Sequence, residues 1–202
     1  MGCDIHLHVE YRRIKEEKVV IREAEYDEEG NVVKQELSFN SNTDWQKFQA
    51  YHFEEFSDRI YGMFAVLSNV RNYNDLPPIE IRGFPQDASM SVQLKYLLRI
   101  VKDDEIEKYE DRDDYSVCSE SNANRWGGKR FTINGYEYTE HPDWHSPNWC
   151  TTAEMEHAIE TVFKENGKYS GDYIAWLGLL GLMKGLETDG RYECRAVYWF
   201  DN

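Results

Sequence analysis

Both ends of this chain read as strands, and that pair constrains the fold more than anything between them. Cys3-Asp4-Ile5-His6-Leu7-His8-Val9-Glu10 alternates strictly, with Cys3, Ile5, Leu7 and Val9 on one face and Asp4, His6, His8 and Glu10 on the other. The last stretch, from Tyr192 through Cys194, Ala196, Tyr198 and Phe200 to Asp201, alternates as well. Each is about ten residues long and would leave an apolar stripe in water if it stood alone. The two are therefore expected to be neighbours in one sheet, with the apolar face of the first strand turned to a core.

Between them the chain predicts an α+β fold. Residues 18–23 and 32–37 flank Glu28-Glu29-Gly30-Asn31 and read as a β-hairpin; residues 130–133 and 136–139 flank Asn134-Gly135 and read as a second. Residues 40–53 read as a polar loop anchored by Trp45, Phe48, Tyr51 and Phe53, with His52 a surface or packing residue. A helix capped by Ser57 or Asp58 should carry Ile60, Met63, Phe64 and Leu67 on its apolar face and end near Ser68-Asn69. Ser89 should cap a helix over residues 90–101, with Leu94, Leu97, Leu98 and Val101 inward. Residues 102–128 read as an irregular acidic insertion, and residues 140–150 as a long loop. Thr151-Thr152-Ala153-Glu154 is a capping box that starts a helix to Asn166. A last helix follows over 170–186, with Leu177, Leu180 and Met183 inward. The expected whole is one domain over 1–202: a mostly antiparallel sheet with helices packed on one side, and two hairpins.

Composition narrows the function classes. A net charge of -15 argues against a surface that wraps nucleic acid or docks on anionic membrane, but a few arginines in a pocket could still hold a small phosphorylated ligand. Cys3, Cys118, Cys150 and Cys194 form no Cys-x-x-Cys pair, so a zinc knuckle is not expected. Cys3 falls on the apolar face and reads as a small buried hydrophobe rather than a nucleophile. The opening residues do not read as a signal peptide, and no apolar run reaches the length of a spanning helix. The expected location is the cytoplasm, with reduced thiols; an oligomer is left open.

Three groups of residues carry the candidate chemistry. Asp4, His6 and His8 share one strand face, each about 7 Å from the next. Arg59, Arg71 and Arg82 sit at helix ends or in adjoining turns, where guanidinium forks bind carboxylate or phosphate. His141, Asp143, His145 and Ser146 crowd the 140–150 stretch beside Trp144 and Trp149. Two site readings follow. In the first, Arg71, Arg82, His6, His145, Ser146, Trp144 and Trp149 form a pocket for a small phosphorylated, nucleotide-like ligand, the arginines on phosphate and the rings on base or sugar. In the second, Asp4, His6 and His145 are catalytic in a metal-dependent hydrolase or phosphodiesterase, with a divalent transition metal held from among Asp4, His6, His8, His141 and His145. A third class, an acidic protein-binding inhibitor, needs no pocket. The binding reading is preferred.

Several of these segments, taken in order, resemble a group of small proteins encoded by tailed bacteriophages and prophages. Met1-Gly2-Cys3-Asp4-Ile5-His6 is similar to that group's opening. The run from Arg59 to Leu67, followed by Asn69-Val70-Arg71-Asn72, is similar to its Arg-Asn-Tyr-Asp-x-Phe helix and Val-Arg end. Arg82-Gly83-Phe84-Pro85-Gln86-Asp87-Ala88-Ser89 resembles its Arg-Gly-Leu-Pro-x-Asp-x-Ser turn. His145-Ser146-Pro147-Asn148-Trp149-Cys150-Thr151 resembles its His-Ser-x-Ser-x-Leu-Thr run, and Tyr198-Trp199-Phe200-Asp201-Asn202 its Phe-Trp-Phe-Asp-Asn end. Ile60 and Gly62 stand where the pattern has Asn and Asp, and Asn148 where it has the second Ser. The resemblance implies a phage setting, in which the expected role is interference with host defence, including capture or destruction of nucleotide immune signals.

Overall fold

The two terminal segments lie side by side. The computed structural model describes residues 3–14, 20–26, 32–38, 45–48, 59–110, 117–133, 135–164 and 171–201. In chain order it holds β1 (Ile5–Arg13), β2 (Val20–Tyr26), β3 (Val32–Ser38), β4 (Gln46–Lys47), α1 (Tyr61–Ser68), α2 (Met90–Tyr96), β5 (Leu97–Val101), α3 (Glu107–Glu110), β6 (Val117–Ser119), α4 (Glu120–Trp126), β7 (Arg130–Ile133), β8 (Tyr136–Glu140), β9 (His145–Thr151), α5 (Thr152–Phe163), α6 (Gly171–Glu187) and β10 (Tyr192–Phe200). β1 and β10 pair antiparallel along their full length, Ile5 opposite Phe200 and Arg13 opposite Tyr192. They form the centre of a sheet ordered β4-β1-β10-β9. A second sheet, β6-β5-β8-β7, contains the later hairpin, and β2-β3 is the earlier one. All described pairings are antiparallel except β5 with β6.

The apolar face of β1 is buried as its alternation requires. Cys3, Ile5, Leu7 and Val9 join Cys194, Ala196, Tyr198 and Phe200 beneath α1, α5 and α6, which contribute Met63, Phe64, Met155, Ile159, Trp176 and Met183. Burying each large side chain of this kind stabilises the fold by roughly 1.5–3 kcal/mol. The opposite face, which carries Asp4, His6, His8 and Glu10, is covered as well. Val197 and Trp199 pack there against Val92 and Tyr96 of α2 and against Leu97 and Tyr138 of the second sheet. So the sheet has helices on one side and a helix-plus-sheet layer on the other.

That second layer explains the buried charges. Glu10 is 0% exposed and Arg195, opposite it in register, is 3% exposed. Arg195 Nε donates to Glu10 Oε2 at 2.8 Å, and its Nη1 donates to Asp87 Oδ1 at 2.8 Å. Glu10 Oε1 accepts from the Ser89 amide at 2.7 Å, and Asp87 Oδ2 accepts from Trp45 Nε1 at 2.9 Å. Desolvating an ion pair this deep is costly, and the bonds to the Ser89 amide and to Asp87 offset part of that cost. Here it ties both central strands to the 85–89 turn that leads into α2.

Four sequence expectations are corrected. The helix expected over 90–101 stops at Tyr96, where Leu97 turns extended (φ -107, ψ 146) and β5 begins. An apolar run such as Leu97-Leu98 fits helix or strand equally well, and ladder bonds to β8 and β6 decide for strand. Leu94, expected inside, is exposed, as is Leu177. The 102–128 segment is not irregular throughout, since β6 joins the second sheet and Ser119 caps α4. The 140–150 loop is strand from His145 onward; Pro147 is tolerated there because β9 is a sheet edge, bonded on one side only. The first hairpin's turn at 28–31, Asn134, the caps Ser57 and Asp58, Tyr51, His52, Phe53 and the helix end at Asn166 lie outside the described residues. The α1 end at Asn69 (φ 56) and the α5 capping box are as expected.

Candidate functional site

Antiparallel pairing brings the start of β1 to the end of β10, so Asp4 and His6 meet Asp201. The Asp4 amide donates to Asp201 Oδ1 at 2.9 Å, and His6 Nε2 lies 3.2 Å from Asp201 Oδ2. With the proton on Nε2, the carboxylate orients the ring and leaves Nδ1 as acceptor. Both Asp4 oxygens are held by Arg59, at 2.7 and 3.1 Å. Arg59 hydrogen bonds and charge lower the Asp4 pKa, with burial opposing. His6 lies beside Trp144 and Trp199, at 5.5 and 5.8 Å between ring centroids. His141 stacks on Trp144 at 4.5 Å, and its Nδ1 accepts from the Asp143 amide. Burial lowers the His141 pKa, Asp143 opposes this, and His6 adds to the lowering.

The other candidates separate from this cluster. His8 is 6% exposed and packs against Trp199 at 5.0 Å. His145 sits opposite Phe200, with its ring against that side chain on the helix-covered face, and its Nδ1 meets Ser146 Oγ at 3.0 Å. Ser146 is in the left-handed region at φ 49. His6 and His145 are therefore not brought to one pocket: His6 faces the Trp199 side of the sheet and His145 the Phe200 side. Arg71 lies over Tyr61 at 4.9 Å and donates to its hydroxyl; it also sits beside the buried Cys3 thiol, whose pKa burial raises and Arg71 lowers. Arg82 bridges to Glu154 at 2.6 and 3.0 Å and to Glu80 at 2.8 Å, and covers Trp149 at 4.6 Å. Burial raises the Glu154 pKa, but bonds from Arg82 and Thr151 outweigh it and leave it lowered. Arg82 thus anchors the capping box of α5. Trp144 and Trp149 both pack against the aromatic layer between the sheets.

No group of three or more His, Cys, Asp or Glu side chains among the described residues is placed to hold a metal ion. Asp4, His6, His8, His141 and His145 do not fit the expected metal site, because Asp4 is engaged by Arg59, His8 is buried, and His145 faces the other side. The described cysteines are free and buried, and no described helix is long and apolar enough to cross a membrane.

A cleft of about 580 Å³ opens between the 82–86 turn and the second sheet. Phe84 and Phe131 give it flat apolar walls, and Gln93, Tyr96, Lys129 and Glu140 give it polar ones. Tyr96 stacks on Phe84 at 4.1 Å and meets Trp144 at 5.8 Å, so an aromatic row joins the cleft to the His6 cluster. Among the described residues Lys129 and Glu140 have no ion-pair partner and the Tyr96 hydroxyl has no hydrogen bond. Burial and the Glu140 charge push the Tyr96 hydroxyl up to about 12, so it stays protonated. Arg82 borders this cleft, but Lys129, Glu140, Tyr96, Gln93 and Phe131 were not identified from sequence. The Asn134-Gly135 hairpin was the one available signal, and it could not reveal that β8 pairs with β5. Asp201 could have been found, since antiparallel terminal strands necessarily bring it to Asp4. Comparison with known protein families, with curated proteins and with solved structures found no match.

Proposed function

We propose that this protein binds a small phosphorylated, nucleotide-like ligand in the cleft between the 82–86 turn and the β7–β8 hairpin. The observation that carries the reading is the set of unengaged groups in that cleft: Lys129, Glu140 and the Tyr96 hydroxyl beside the flat faces of Phe84 and Phe131. A volume of about 580 Å³ suits a nucleotide, rings of this kind stack on a base, and a lysine ammonium offers three donors to phosphate. Binding is favoured over hydrolysis because none of the described residues that line the cleft is a histidine, cysteine or serine. The resemblance to tailed-phage proteins supports a setting in which such binding removes a nucleotide immune signal from solution.

The test is calorimetric titration with nucleoside mono- and triphosphates in the presence of chelator. Saturable binding is expected, weakened on the order of tenfold by Lys129→Ala. A bound nucleotide should return with unchanged mass when the protein is heat-denatured. Absence of binding by every nucleotide, or consumption of a large excess by a small amount of protein, overturns the reading.

A further inference from the structure

The cleft holds a donor next to an acceptor, and that pair is more selective than the cleft's shape. Glu140 closes β8 opposite Leu97, the residue after Tyr96, so the carboxylate and the phenol are brought to one wall by the β5–β8 ladder. The Glu140 charge is felt at the Tyr96 hydroxyl, yet no hydrogen bond joins them. An ionised carboxylate only accepts, and a phenol of this kind donates. Gln93 adds a second acceptor, because its amide nitrogen is engaged by the Ala88 carbonyl at 2.7 Å and its oxygen is left over.

We propose that the ligand's base is guanine, read along its Watson–Crick edge by the Tyr96 hydroxyl and the Glu140 carboxylate. Guanine presents a carbonyl acceptor, a ring N–H and an exocyclic amine in sequence along that edge. Tyr96 donates to the carbonyl, and Glu140 accepts from the ring N–H and the amine together, a bidentate charge-assisted contact. The other bases fail for definite reasons. Adenine turns a ring nitrogen lone pair toward the carboxylate beside its amine. Cytosine does the same. Uracil flanks its one N–H with two carbonyls. A polar site built for one edge discriminates strongly, because the wrong base leaves its groups unpaired. Lys129 remains for the phosphate. The inference rests on reading the cleft as a nucleotide site.

The experiment is a titration of the full chain with guanosine, inosine and adenosine 5′-monophosphates, repeated on Glu140→Gln and Tyr96→Phe. Guanosine monophosphate should bind at least about tenfold more tightly than adenosine monophosphate, with inosine monophosphate between them because it lacks the amine. Glu140→Gln should abolish the preference, and Tyr96→Phe should reduce it. Equal affinity for the guanine and adenine nucleotides, or a preference that survives Glu140→Gln, overturns the choice of base and leaves nucleotide binding standing. Binding by none of the three overturns both.

Discussion

The end of the central sheet and the cleft behind the second sheet both expose ionisable groups, but in different states of engagement. At the sheet end Asp4 is held by Arg59, His6 by Asp201, and His141 by Trp144 and the Asp143 amide. In the cleft, among the described residues, Lys129 and Glu140 have no ion-pair partner and the Tyr96 hydroxyl has no hydrogen bond, although the Tyr96 ring stacks on Phe84. The comparison teaches that residue type is a poor guide to which polar groups a fold leaves unengaged. Histidines and arginines attract notice in a sequence, yet a ligand is bound by groups whose hydrogen-bonding capacity the fold has left over. Arg82 makes the point alone: it borders the cleft, but its guanidinium serves Glu154 and Glu80.

The largest effect should come from the engaged charges that lie deepest. Arg195→Ala leaves Glu10 buried and unpaired, and should cost about 3–5 kcal/mol in a denaturant unfolding series. A loss under about 1 kcal/mol would mean that the second layer admits water. Next, Arg82→Ala should cost roughly 1–3 kcal/mol of stability, through the lost bridge to Glu154 and the lost cover on Trp149. If it instead removed nucleotide binding with stability intact, Arg82 would belong with the unengaged groups. Asp201→Asn and His6→Ala should each cost about 1 kcal/mol or less, since the pair is partly exposed, and should leave nucleotide affinity within twofold of the parent.

The smallest effect is in the response to pH. Burial holds His141 below the ordinary histidine range, so the unfolded chain binds the extra proton first. Stability should therefore begin to fall as pH drops below about 6.5, the unfolded histidine value. Glu154 and Asp87, whose pKa values are lowered in the fold despite burial, add a second and steeper loss as pH falls through about 4 and below. His141→Asn should flatten the first step and keep the second, which a thermal scan across pH would show.

Much of the fold was legible because short-range rules decide it. The alternation in β1 and β10, the hairpin at Asn134-Gly135 and the Thr151–Glu154 capping box each report local geometry. The switch from α2 to β5 was not legible, because Leu97 and Leu98 are apolar in either conformation and only pairing with β8 selects one. The site divided in the same way. That Asp4 and His6 sit on one strand face follows from a period of two. That Glu10 on the same face is fully buried does not, because it depends on Arg195, Asp87 and Ser89, which arrive from elements far along the chain.

The sequence by itself therefore determined the α+β class, the union of the terminal strands and the helix-side core, since periodicity and capping act over a few residues. Tertiary structure alone decided which polar groups would be consumed and which left over. The reason is physical: a hydrogen bond or ion pair is a property of two groups, and Glu154, Glu10 and Arg59, which engage Arg82, Arg195 and Asp4, lie 72, 185 and 55 residues from them in the chain. Pairing of β5 and β7 with β8 brings Lys129, Glu140 and Tyr96 to one cleft, and among the described residues it leaves the two charges without an ion-pair partner and the Tyr96 hydroxyl without a hydrogen bond.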